Sequence, residues 1–142
     1  MKRFKLSLCP PIQPGIFTLA MPAALQRVAA NLPRILDELH AASPSSEIIV
    51  MNFYNPFFVV DPSTDALVAS MNDEIDGIAS ERHMRLADVF SAINRTGDEA
   101  STVCALTNVC TPPIFDEHPT DAGYTVMAGV FWTASGYSRL AG

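Results

Sequence analysis

The chain has 142 residues, which suits one domain. Its 49% apolar and 17% charged composition, free of low-complexity tracts, is globular and excludes a disordered segment. The formal charge is -6, and three of the nine basic residues are Lys2, Arg3 and Lys5, so no Lys/Arg cluster remains to bind a phosphate backbone and nucleic acid is not expected as a partner.

Residues 1–22 hold four of the eleven prolines, at positions 10, 11, 14 and 22. Only RFKLSL, residues 3–8, alternates well enough for a strand, and the rest of 1–22 is expected to be irregular, with the domain proper over 23–142. The basic start MKRFKLSLC runs into PPIQPG before reaching the roughly 7–15 apolar residues of an export signal. No apolar run approaches the roughly 20 residues that span a bilayer.

From Ala23 to Ala42, Leu25, Val28, Leu32, Ile35, Leu36 and Leu39 recur at helical spacing and define one face. Pro33 lies inside this run and is expected to kink or split the helix, since it removes a backbone donor. EIIVMNF, residues 47–53, reads as a strand buried on both faces. YNPFFVVDPSTD follows as a loop. Ser63 or Thr64 is expected to cap the next helix, with Asp65 in its first turn. Leu67, Val68, Met71, Ile75 and Ile78 give that helix its apolar stripe, and Asp73, Glu74 and Asp76 its wet side. Asn72 and Asp73 are read here as solvated. MRLADVF, residues 84–90, suits a second strand, NRTGDEAST a polar loop, and Tyr124 to Ala134 a last helix capped by Thr120 or Asp121. Alternation of helices and strands predicts an α/β layered fold with parallel strands, whose functional groups gather in loops at the C-terminal strand ends.

One such loop carries Asp116 and His118, followed by Pro119 and, further on, Gly123. An imidazole takes a proton from a hydroxyl, and a carboxylate fixes its tautomer and stabilises its cationic form. The alternative reading of Asp116 is a helix cap. His40 and His83 read as surface residues, and no histidine stands in a cluster with zinc-like spacing, so no metal is expected. Cys104 and Cys110 enclose a five-residue loop that can close into a disulfide in an exported protein or stay reduced in the cytosol; Cys9 is left over. Tyr54, Asn55 and Pro56 suit either a cleft wall or a plain turn, and Phe57 to Val60 either an acyl-binding wall or packing against a neighbouring helix.

DEHPTDAGYTVMA, residues 116–128, resembles the last motif block of the SGNH, or GDSL-type, hydrolases, in which catalytic Asp and His precede Pro-Thr and Gly-Tyr. VAANLPRILDELHAASPSSEIIVMNFYNPF is similar to that family's helix, following strand and Tyr-Asn-Pro-Phe loop, and VCALTNVCTPP to a Cys-bounded segment of secreted bacterial members. The resemblance spans roughly residues 20–136 and rests on the order of segments, not on His-Pro-Thr alone. It implies a three-layer αβα, flavodoxin-like fold, of which only the C-terminal portion is present. It implies His118 as general base and Asp116 as its orienting acid, a carboxylic ester of a small molecule or lipid as substrate, an acyl-serine intermediate, no cofactor, and an exported, extracellular parent protein. The spacing departs from the family's commonest Asp-x-x-His, because Phe115 holds the position three before His118.

The nucleophile is missing. The only Gly-Asp pair, Gly97-Asp98, is followed by Glu99, and no Gly-x-Asn-Asp block or Gly-x-Ser-x-Gly elbow is found. The expectation is therefore an incomplete ester hydrolase, inactive alone, with an open sheet edge through which it self-associates. Two rivals are a degenerate member acting as a binding module, and a complete enzyme that uses another serine such as Ser7 or Ser138.

Overall fold

The computed structural model describes residues 16–112 and 116–137. The expected strand at 3–8, Cys9 and both alternative serines, Ser7 and Ser138, lie outside the described residues.

Helix α1 runs over Ile16–Ala42, so residues 16–22 are helical where the prolines suggested irregular chain. It passes through both Pro22 and Pro33 as one element, and is not split. Each proline forgoes one helical hydrogen bond. Tertiary contact offsets part of that loss, since Val28, Leu32 and Leu36 pack into a core with Val50, Ile75 and Ile78. Strand β1 is Ile49–Met51 and strand β2 is Arg85–Ala87; they pair in parallel, with Ile49 opposite Arg85 and Met51 opposite Ala87. Between them lie a 3₁₀ turn at Pro56–Val59 and helix α2 at Thr64–Glu81. After β2 come α3, Val89–Ile93, and α4, Glu99–Leu106, then a 3₁₀ turn at Asn108–Cys110 and α5, Asp121–Ser135.

The strand alternation separates two layers. Ile48, Val50, Met84 and Leu86 face α1 and α2 in one core. The other face meets α5, where the Arg85 guanidinium donates to the Ala134 carbonyl at 2.8 Å. A second core joins Val89, Ile93, Val103 and Val109 to Met127, Val130 and Phe131 of α5. Helices thus cover a parallel two-stranded sheet on both sides.

Several expectations are corrected. β1 is not buried on both faces, because Met51 is 36% exposed and only Val50 is buried. The strand expected over 84–90 is confined to Arg85–Ala87, because Val89 and Phe90 already belong to α3, and the expected polar loop 94–102 gives way to α4 at Glu99. Asp88 caps α3 by accepting from the Ser91 N–H at 3.0 Å, and Gly97, at φ +90°, turns the chain into α4. Ser63 stands at the N-cap of α2 but makes no side-chain capping bond. The apolar stripe of α2 is as expected, with Val68, Ile75 and Ile78 buried.

Candidate active site

The site is built on three connections, and the first is the loop after β1. Strand pairing ends at Met51, so the next backbone groups need other partners. Asparagine side chains supply them. The Phe53 N–H donates to Asn72 Oδ1 at 2.8 Å, and Asn72 Nδ2 donates back to the Phe53 carbonyl at 2.9 Å. Asn94 does the same for Asn55, at 2.8 and 2.9 Å. Each amide thus mimics a neighbouring strand for one residue. Asn52 links the turn to the start of α3 by accepting from the Phe90 N–H and donating to Asp88. Burial disfavours the Asp88 charge, but hydrogen bonds from Ser91 and Asn52 outweigh it and hold the carboxyl below its usual range. Asn52, Asn55, Asn72 and Asn94 are all buried, and no buried side-chain polar atom lacks a partner among the described residues.

This overturns the solvated reading of Asn72; Asp73 beside it is exposed. The signal was present in the sequence. Val68, Asn72, Ile75 and Ala79 share one helical face, and an amide on an apolar stripe must find hydrogen bonds there. Asn55 and Pro56 are likewise buried structural residues and do not line a cleft. Val59, close by, packs into the second core as the packing reading of that run expects, whereas Val60 is 57% exposed.

The second connection is the turn that follows α4. Thr107 pairs with Pro119 in an isolated antiparallel bridge. The Asn108 N–H donates to the His118 carbonyl and the Thr120 N–H to the Leu106 carbonyl, both at 2.9 Å. Cys104 and Cys110 are joined by a disulfide around this turn. Tyr54 reaches in from the post-β1 loop, its hydroxyl donating to the Glu117 carbonyl at 2.8 Å. Burial, then the neighbouring Tyr124, raises the Tyr54 phenol above its usual range and keeps it a donor.

The third connection is the start of α5. Thr120 caps it by accepting from the Gly123 N–H at 3.1 Å. Gly123 is buried where the helix crosses the end of α4, and a Cβ there would run into the Leu106 carbonyl oxygen.

Within this cradle Asp116 and His118 meet. Asp116 Oδ1 lies 2.6 Å from His118 Nδ1 and also accepts the His118 backbone N–H at 3.0 Å. One carboxylate oxygen therefore fixes both the backbone turn and the ring. The two hydrogen bonds from His118, backbone first, hold the Asp116 carboxyl below its usual range, and the bond to Asp116 raises the imidazole above its own. With Nδ1 engaged, Nε2 is the nitrogen left for proton transfer, and the side chain is 72% exposed. A spacing of two residues therefore orients the imidazole.

Among the described residues the surface around this pair is open. Phe53 stacks on Tyr54, with ring centroids 5.8 Å apart, and Tyr124 is exposed. A depression of about 500 Å³ lies at the other end of the strands, lined by His40, Glu47, Arg82, His83 and Arg85. There Glu47 pairs with Arg85 at 2.7 Å and Asp37 with Arg82 at 2.8 Å. Among the described residues no group of three or more His, Cys, Asp or Glu is placed to hold a metal ion, and no helix is long and apolar enough to cross a membrane. Comparison with family models, with curated proteins and with solved structures finds no match for this chain.

Proposed function

We propose that this chain is the C-terminal portion of an SGNH-type serine ester hydrolase. His118 acts as general base and Asp116 as its orienting acid, and the nucleophilic serine and oxyanion donors come from a part of the protein that this sequence does not contain. The observation that carries the reading is the bond from Asp116 Oδ1 to His118 Nδ1, with the ring exposed beside the C-terminal end of β1. Active sites of open α/β sheets lie at that end. The substrate class is a carboxylic ester of a small molecule or lipid, hydrolysed through an acyl-serine intermediate with no cofactor, in an exported protein.

The layer arrangement supports incompleteness. α1 and α2 share one face of the sheet. Parallel crossovers are right-handed, so a strand preceding α1 belongs on the edge of β1 opposite β2. That edge is open. An apolar groove of about 340 Å³ runs along it, lined by Val28, Leu32 and Ile35 of α1 with Val50, Met51 and Ile75. The missing strands of a flavodoxin-like sheet would fill it. Until they do, the groove is a route to self-association.

The test is hydrolysis of a short-chain nitrophenyl ester by the chain alone, and by the chain mixed with the polypeptide encoded immediately upstream of it. The expected result is no turnover alone and turnover in the mixture, lost in His118→Ala. Turnover by the isolated chain that His118→Ala abolishes would show that it already holds a nucleophile. A mixture that binds esters without hydrolysing them would favour the binding-module reading.

A further inference from the structure

We propose that the Cys104–Cys110 disulfide is a positioning element for His118, holding its loop from the α4 side, and that a dithiol loosens that hold on the imidazole. The proposal builds on the reading of His118 as proton acceptor, but its test does not require catalysis. Only residues 105–109 separate the two cysteines. This stretch and its flank supply the hydrogen bonds that hold the His118 loop from the α4 side. The Leu106 carbonyl accepts the Thr120 N–H, the Asn108 N–H donates to the His118 carbonyl, and Thr107 bridges to Pro119. The Thr120 hydroxyl adds a bond to the Ala105 carbonyl at 3.2 Å. The partners come from the last residues of α4 and a three-residue 3₁₀ turn, which has little ladder of its own. The sulfur bridge closes that turn from α4 to Cys110, with the Cα atoms 5.2 Å apart. Cys110 is exposed, so a small reductant has access.

Reduction breaks the Sγ–Sγ bond. A dithiol supplies two electrons and two protons, leaves as its own cyclic disulfide, and yields two cysteine thiols. The competing restraint is packing, because Thr107 and Val109 are buried. If packing alone holds the turn, the disulfide is incidental to His118.

Amide hydrogen exchange of the full chain, with and without dithiothreitol, separates these. On reduction, the Asn108 and Thr120 amides should exchange at least about tenfold faster, while the amides of Asn52 and Arg85 that tie β1 to β2 keep their protection. The His118 ring, read by its NMR titration, should lose the upward displacement that Asp116 gives it; Glu117 is the other charge acting on it. The Cys104→Ser/Cys110→Ser variant should match the reduced chain and ignore the dithiol, which controls for Cys9. Unchanged exchange at Asn108 and Thr120 would overturn the proposal in favour of packing. Equal loss of protection across the sheet would overturn it in favour of a global staple, and a dithiol response in the double variant would assign the effect to Cys9. Failure of the ester assay strikes the proposed function and leaves these outcomes untouched.

Discussion

The two cores of this molecule are finished to different degrees. Around α3, α4 and the inner face of α5, Val89, Ile93 and Val103 are fully buried, and the described turns at Asn94, Thr107 and Thr120 are tied by side-chain or backbone bonds, while Tyr124 and Trp132 on the outer face of α5 are each 54% exposed. Along α1 and β1, Ile35 is 47% exposed, Leu39 51% and Met51 36%, and an apolar groove lies open beside the strand. The contrast teaches where each half finds its partners. The His118 cradle is satisfied by contacts within 50–125. The α1–β1 edge has apolar side chains and strand hydrogen-bonding groups that nothing among the described residues covers.

Substitutions in the closed half should have the largest effects. Ile93→Ala removes a side chain with no solvent exposure and should cost about 2–5 kcal/mol in denaturant unfolding. Asn94→Ala strands the Asn55 N–H and carbonyl in a buried turn and should cost about 1–3 kcal/mol. Gly123→Ala forces a methyl against the Leu106 carbonyl and should cost a similar amount, about 1–3 kcal/mol, with the His118 loop as the first region to lose amide protection.

A pH series sharpens the comparison, because the Asp116–His118 pair belongs to the closed half only. Folding raises the His118 pKa, so its contribution to stability is complete below the ordinary imidazole value of about 6.5 and is lost as pH climbs through the raised value. Folding lowers the Asp116 pKa, so its contribution is present above the ordinary aspartate value and lost as pH falls through the lowered one. Both act together between those limits. Asp116→Asn should bring the NMR titration midpoint of His118 down toward the ordinary value. An unchanged midpoint would mean that the carboxylate does not hold the ring in solution.

The smallest effect on stability is expected at the open edge. Met51→Lys or Ile35→Lys should change unfolding free energy by less than about 0.5 kcal/mol, because each side chain is already partly in water. Either should reduce self-association, measured by sedimentation, and binding of an apolar dye. A large loss of stability there would show that the groove is closed in solution.

Periodicity made most of the framework legible. The stripe Val68, Met71, Ile75 and Ile78 marked α2, and the run from Val28 to Leu39 marked α1. Helix α3 was hidden because Val89 and Phe90 read as the end of a strand, and α4 because NRTGDEAST is polar; each helix spans too few turns to show a stripe. Asp116 and His118 were legible as a pair by their chemistry. Their supports were not. Tyr54 stands sixty-three positions before Glu117 in hydrogen-bond contact, and Asn94 thirty-nine after Asn55.

The sequence by itself determined the amphipathic helices, the parallel α/β order and the proximity of one carboxylate to one imidazole, because these depend on spacing within a few residues. Only the tertiary structure decided that Asn72 and Asn94 would replace missing strand partners, that Gly123 must be bare, and that nothing among the described residues would cover one edge of β1. Those outcomes depend on which backbone groups remain unpaired once distant segments have packed, and spacing along the chain carries no record of that.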